Sequence, residues 1–240
     1  MQTSKKLGNI LEKISLALLG KDIAHSKSRQ MYEEIFKRSI NYQLFDYSSE
    51  NEIPSLDIMF SDIQGLSITA PYKKVFLDHV VLNEEIKPLD AINCIKKKDN
   101  TFYGTNTDYE AIVKIFNKND FHKRETFLLG SGSMAHVTKC FFSLNNIEFI
   151  QLSRKENGPL EELDLKSLSK TNNPLIINSC ARNFIFNGSL PKDSTFWDYN
   201  YSHKAHSERL PKLCDYLDGL EMLKLQAISA VEFWGLDQEF

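Results

Sequence analysis

The chain has 240 residues, of which 42% are apolar and 25% charged, and its formal charge is -3. That length can bury one large core or two modest ones, and the slightly acidic balance gives no electrostatic reason to expect nucleic acid as a partner. No stretch approaches the roughly 18 consecutive apolar residues of a membrane-spanning helix, so a globular cytoplasmic protein without membrane attachment is expected. The segment Met1 to Lys6 is basic, but the apolar run Ile14 to Leu19 is short, lacks a small-residue cleavage site and follows Glu12 and Lys13. It reads as a first buried strand and not as a signal peptide.

Strand-like and helix-like runs then alternate, the pattern of a parallel α/β sheet. Ser28 to Lys37 is helical, Tyr42 to Phe45 extended, Gly65 to Thr69 a strand and Lys73 to Leu82 helical, which makes a βαβα half. Ala91 to Lys96 and Thr101 to Gly104 flank a polar turn ending in Asp99-Asn100, the composition of a hairpin. Tyr109 to Asn117 carries Ile112, Val113, Ile115 and Phe116 on a helical face. A second α/β half begins at Thr126 to Leu129, adds strands at Phe149 to Leu152, Leu175 to Ile177 and Thr195 to Trp197, and is followed by a last helix through Leu223 to Phe233. No low-complexity linker separates the halves, so the boundary is tight and falls near Thr107. Cys94, Cys140, Cys180 and Cys214 are widely spaced without a C-x-x-C pair and read as reduced structural thiols. His203 and His206, three apart in a polar segment, read as solvated surface, and no metal is expected.

Two constellations carry chemistry. Phe127-Leu-Leu129 runs into Gly130-Ser131-Gly132-Ser133-Met134-Ala135 and then a helical run, the G-x-G-x-x-A form in which glycines allow a tight turn and close approach of a pyrophosphate to helix N–H groups. The next strand ends at Ser153-Arg154-Lys155, where an acidic residue would hold the ribose hydroxyl of NAD. Arg154 and Lys155 suit a 2′-phosphate instead, so NADP is the expected cofactor, although Lys155 also reads as an ordinary surface charge. The second constellation is Lys73, just past a β-branched strand, and Asp108 in Asn106-Thr107-Asp108. A lysine in a closed cleft, oriented by a carboxylate, can protonate the oxygen of a ketone reduced by hydride. Asp108 could equally cap the helix that follows it.

These residues resemble the shikimate dehydrogenases, which reduce 3-dehydroshikimate to shikimate with NADPH. The likeness runs nearly end to end, through Gly20-x-x-Ile-Ala-His-Ser26-Lys-Ser28, Thr69-x-Pro-Tyr-Lys73, Ala91-Ile-Asn93, Gly104-x-Asn-Thr-Asp108, the glycine turn, Ser-Arg154, Asn178, Asp198-x-x-Tyr201, Met222-Leu-x-x-Gln226-Ala and Phe233-Trp-Gly235. The resemblance implies that Ser26 and Ser28, helped by Tyr201, hold the substrate carboxylate, and that Thr69, Asn93, Asp108 and Gln226 bond the ring hydroxyls. From its position alone, Ser28 would be read as a helix N-cap. The resemblance makes Lys73 the catalytic lysine and Asp108 its partner, with Asn178 beside the cofactor. It further implies a two-domain α/β fold: residues 1–107 plus 218–240 form a substrate domain completed by the C-terminal helix, and residues 108–217 form a Rossmann-type NADP domain. Shikimate or 3-dehydroshikimate is then the partner of a monomer or homodimer. The chain departs from the family pattern at Arg29 (a proline in the family), Ser67 (asparagine), Tyr109 (glycine), Ser179-Cys180 (Ala-Thr) and Leu220 (glycine). Those changes leave open a shikimate dehydrogenase-like or quinate-oxidising relative, or a catalytically weak ligand-binding one.

Overall fold

The structure, a computed structural model, describes residues 13–201 and 203–239. The basic segment Met1 to Lys6 lies outside the described residues. Strands β1 (Ser15–Gly20), β2 (Asn41–Asp46), β3 (Gly65–Ile68), β4 (Val81–Leu82), β5 (Cys94–Lys98) and β6 (Thr101–Thr105) form one sheet in the order β2-β1-β3-β5-β6-β4. β1 runs parallel to β2 and β3, whereas β5 is antiparallel to both β3 and β6. Helices α1 (Ser28–Phe36) and α2 (Leu56–Met59) interrupt the first three strands. Asp99 and Asn100 both take positive φ (49° and 58°), so the expected hairpin closes in two residues, the left-handed pair that matches strand twist.

The helix expected over Lys73 to Leu82 does not form. Beyond a single 3₁₀ turn at Leu77–His79, Val81 and Leu82 extend and pair in parallel with Tyr103 and Gly104. The β-branched Val80-Val81 step favours extended backbone, and the open edge of β6 offers it hydrogen bonds, so tertiary pairing overrides the helical spacing.

Helix α3 (Thr107–Asn119) leads into the second sheet, whose strands are β7 (Thr126–Leu129), β8 (Ile150–Leu152), β9 (Leu175–Asn178), β10 (Thr195–Asp198) and β11 (Asp215–Leu217). All are parallel in the order β11-β10-β9-β7-β8. The helical segments between them are α4 (Ser133–Leu144), α5 (Arg154–Asn157), α6 (Leu165–Leu168) and α7 (Lys204–Arg209), and α8 (Leu220–Trp234) follows β11. β11 was not anticipated; three residues, one of them Asp215, are too few for a period-2 signal.

Side chains alternate across both sheets, as strand geometry requires. On β7, Phe127 and Leu129 enter one core while Leu128 enters the other. Both faces are therefore covered, in keeping with the continuous apolar runs of these strands. The largest core is shared between the sheets: Leu19, Leu66 and Ile68 from the first and Leu128, Ile177 and Trp197 from the second join through α3 and α4. Phe116 lies at its centre, 4.8 Å from the ring of Phe141, 5.6 Å from Phe142 and 6.0 Å from Trp197. Tyr109, where the family has glycine, fills the α3–α4 seam edge-on to Phe141.

α8 returns to the first sheet. Trp234 donates from Nε1 to the Ile95 carbonyl (3.0 Å) and packs against Tyr32. A Cβ on Gly65 would lie 2.4 Å from the Trp234 ring, so only glycine lets the helix seat against β3.

Phe116→Ala removes the ring around which the shared core is arranged and should lower unfolding free energy by about 3–5 kcal/mol, read from denaturant titration.

Candidate active site

The loop after β3 places Lys73 by backbone bonds at both ends. Thr69 N donates to Leu19 O (2.9 Å), Ile92 N donates to Lys73 O (2.8 Å), and the hydroxyl of Tyr72 reaches the Tyr47 carbonyl (2.7 Å). The Ala70–Pro71 peptide within this loop is cis. Opposite it stands the N-terminus of α3. Asn106, not Asp108, is its cap: Asn106 Oδ1 accepts from Tyr109 N (3.1 Å) and Nδ2 donates to Ala91 O (2.9 Å). Asn93 Oδ1 accepts from both the backbone N–H (2.7 Å) and the hydroxyl (3.2 Å) of Thr107.

The carboxylate of Asp108 is thereby free of capping duty and sits in the first helical turn, where the dipole favours negative charge. Its Oδ2 is 2.6 Å from Lys73 Nζ, with both side chains largely buried.

Ser26, Ser28, Thr69, Lys73, Asn93, Asp108, Tyr201 and Gln226 all line one cavity of about 210 Å³. Every residue expected to hold substrate or move a proton is thus brought together. Ser28 is the first helical residue, not the cap; Lys27 takes that position without a side-chain bond. Instead Ser26 Oγ accepts from Ser28 N (3.2 Å) and donates to Ser28 Oγ (3.0 Å), which holds the two hydroxyls side by side at the cavity. The Tyr201 ring lies between two cations, Lys27 at 5.5 Å and Arg182 at 5.3 Å. Arg29 points its charge to Glu33 on the surface of α1.

Tyr32 and Thr107 also line the cavity and were missed in the sequence. The Tyr32 hydroxyl is 3.0 Å from Ser67 Oγ, so the tyrosine reaches the shorter side chain that stands in place of asparagine. Burial raises the Tyr32 phenol well above its usual range and keeps it neutral. Only the helical spacing of an aromatic would have marked it, and that signal reads as core.

A second cavity of about 270 Å³ shares Thr69, Lys73, Asp108, Tyr201 and Gln226 with the first and adds Met134 of the glycine turn and Tyr199. The lysine–aspartate pair therefore sits where the substrate cavity opens toward the second sheet. Tyr199 donates to Thr138 Oγ1 (2.8 Å), which itself donates to Met134 O, and this fixes the start of α4.

The glycine turn lines a third cavity, of about 250 Å³, with Ser131, Arg154 and Cys180. Gly130 has φ +107° and packs against Ser179 and Cys180, whereas a Cβ on Gly132 would meet nothing within 4 Å. The backbone is thus open where a pyrophosphate would approach, and α4 starts at Ser133 with no side-chain cap on its first N–H groups. These features fit a dinucleotide. Ser133 opens α4 beside the turn and Met134 lines the second cavity, whereas the remaining expected cofactor residues lie away from both. Ala135 is packed in the shared core, Ser153 is buried at the start of α5, and Lys155 is exposed. Asn178, fully buried, accepts from Cys180 N (3.1 Å) and donates to Asp198 (2.9 Å), so it shapes the loop beside the turn.

His206 corrects the reading of the histidine pair as solvated surface. It is 1% exposed; Nδ1 lies 2.6 Å from Asp198 Oδ2 and Nε2 accepts from Phe186 N (2.8 Å). Asp198 also accepts from Asn200 N (2.9 Å). Although Asp198, His203 and His206 offer ligand atoms within 4.8 Å of one another, both ring nitrogens of His206 are already spent on the protein. The network holds the β10–α7 loop that carries Tyr199 and Tyr201.

A parallel Rossmann-type sheet beside a mixed sheet, with a lysine–carboxylate pair in the cavity between them, is a two-domain α/β arrangement whose cleft has the parts of a dehydrogenase site. Comparison with known proteins narrows this. A profile of the shikimate dehydrogenase substrate binding domain matches residues 18–95. The NADP(+) shikimate dehydrogenase of Clostridium beijerinckii is 27% identical over 90% of each chain, and that of Prochlorococcus marinus subsp. pastoris is 28% identical over 91% of this chain and 90% of its own. The crystal structure of Thermus thermophilus shikimate 5-dehydrogenase with shikimate superposes with a TM-score of 0.74 at 20% identity, covering 94% of this chain and 97% of that one. The Aquifex aeolicus enzyme gives 0.72 at 20% identity over 93% of each chain. The chain is thus similar to shikimate dehydrogenases over nine-tenths of its length, and its fold is theirs.

Asn93→Ala leaves the Thr107 N–H without its acceptor and should cost about 1–3 kcal/mol in a denaturant titration, whereas Asn93→Asp, which keeps the acceptor, should recover much of that loss.

Proposed function

We propose that this protein catalyses the reversible, NADPH-dependent reduction of 3-dehydroshikimate to shikimate, and that it does so in the cytoplasm as a monomer or homodimer. The observation that carries the reading is the 2.6 Å Lys73–Asp108 pair in a cavity that also holds the Ser26–Ser28 hydroxyl pair. In this reading residues 1–107 and 218–240 serve the substrate and residues 108–217 serve the cofactor. Among the described residues no helix is long and apolar enough to cross a membrane.

The roles follow from the donor set. Ser26 and Ser28, with Tyr201, bind the substrate carboxylate by hydroxyl donation, and the flanking cations Lys27 and Arg182 make the cavity mouth favourable to an anion. Thr69, Asn93, Asp108 and Gln226 bond the ring hydroxyls, which fixes the reacting carbon relative to Lys73. Gly130, Ser131, Gly132, Ser133, Met134 and Arg154 hold the dinucleotide, which supplies hydride when bound. Ser153, Ala135, Lys155 and Asn178 support that segment from outside the cavity. In the reductive direction Lys73 gives a proton from Nζ to the developing alkoxide and is reprotonated from solvent, while Asp108 keeps Nζ aimed at that oxygen. In the oxidative direction the same nitrogen takes the hydroxyl proton.

A second reading rests on the cavity wall. The Tyr32–Ser67 contact replaces the asparagine of the family pattern, so a neighbouring cyclitol acid such as quinate is the competing substrate.

The direct test is the change in reduced-nicotinamide absorbance with shikimate or quinate, each with NADP and NAD. Turnover of shikimate with NADP supports the main reading, turnover of quinate alone the second, and silence of folded protein with all four pairs overturns both. Lys73→Ala should cut kcat by roughly 10²-fold or more with dinucleotide binding retained. Ser28→Ala should raise KM for shikimate far more than KM for NADP, and equal changes in both would argue against a role in the carboxylate site.

A further inference from the structure

We infer that Glu161 sets the discrimination between NADP and NAD by competing with the cofactor's 2′-phosphate for the Arg154 guanidinium. The inference rests on the proposed reading of the glycine-turn cavity as a dinucleotide site. Arg154 is the first residue of α5 and lines that cavity beside Gly130 and Gly132. Its Nη2 is 2.5 Å from Glu161 Oε1, the one ion pair recorded for Arg154 among the described residues. Glu161 is tethered in turn, because its carbonyl accepts from Asn187 N (2.6 Å). Its carboxyl is held below the usual glutamate range by backbone N–H donors, its own first, and by Arg154, so it carries its full negative charge at neutral pH.

The cation expected to read the phosphate is therefore already partnered by an anion on a fixed stretch of chain. A 2′-phosphate monoester brings about -1.5 to -2 charges. To use Arg154 it must displace the Glu161 carboxylate or share the guanidinium with it, and sharing sets two anions side by side. The neutral 2′-hydroxyl of NAD meets no such opposition, and Glu161 is an acceptor it can use. Glu161 thus narrows a preference that Arg154 alone would make wide. Lys155, exposed beside Arg154, has no ion-pair partner recorded among the described residues and adds positive charge that Glu161 does not cancel.

The experiment is titration of the full chain with NADPH and with NADH, followed by nicotinamide fluorescence, for the wild type and Glu161→Gln. Glutamine keeps the size and an acceptor oxygen but removes the charge. At low salt the variant should bind NADPH roughly tenfold more tightly, the size of a repulsion between a carboxylate and a phosphate about 5 Å apart in water. NADH affinity should stay within about twofold, and the NADPH gain should shrink as salt approaches about 1 M. Unchanged or weaker NADPH binding by Glu161→Gln, or equal tightening of both dinucleotides, would overturn the inference while leaving the dehydrogenase reading intact. Failure of the wild type to bind either dinucleotide would overturn the reading of the cavity, and the inference with it.

Discussion

The site depends on how the first turn of α3 is tied down. A helix N-terminus leaves backbone N–H groups without partners, and here two asparagines supply them. Asn106 caps the helix from within, and Asn93, from the segment before β5, receives Thr107. Because the free donors are satisfied by amides, the Asp108 carboxylate is left for the lysine carried by the loop after β3. Had Asp108 been needed as a cap, its oxygens would have turned toward the helix axis and away from Lys73.

The same helix joins the two sheets. Its outer end carries Phe116 into an aromatic cluster with α4 and β10, so the core that supports the lysine–aspartate pair is continuous with the core under the glycine turn. Position and chemistry are in this sense coupled. A side chain lost near Phe116 loosens both walls of the cavity at once, whereas the core around Trp234 supports only the substrate side.

Much of this was legible in the sequence because local and tertiary preferences agree. Strands β1, β7, β9 and β10 centre on consecutive buried apolar residues, β3 sets Leu66 and Ile68 either side of Ser67, and α3 and α4 show a helical apolar face. The cavity residues were legible for a different reason: singly, Thr69, Asn93 and Gln226 have the character of turn or surface positions and Ser28 that of a helix cap, and only the family resemblance gave them a common role. Where these preferences conflict, the sequence misled. Lys73 to Leu82 has helical spacing but surrenders to an open strand edge. The histidine pair looked solvated because its partners, Asp198 and the Phe186 amide, are distant in sequence. Tyr32 looked like core because it is core, with only its hydroxyl at the cavity. The ion pair between Arg154 and Glu161 joins residues seven apart across a loop, a spacing with no periodic signature.

Helix α8 has a consequence for the order in which the protein is made. The second sheet is assembled from residues between Thr126 and Leu217, so all its strands are available before α8 has left the ribosome. The first sheet is synthesised earlier, but one of its faces has only α1 against it until Trp234 emerges to close over Gly65 and Tyr32. During that interval Leu16, Ile14 and Cys94 have Tyr32 and Phe36 beside them but lack the α8 half of their core. The half made first is thus the half finished last, and the nascent chain carries an incompletely covered apolar face while residues 106–234 are added.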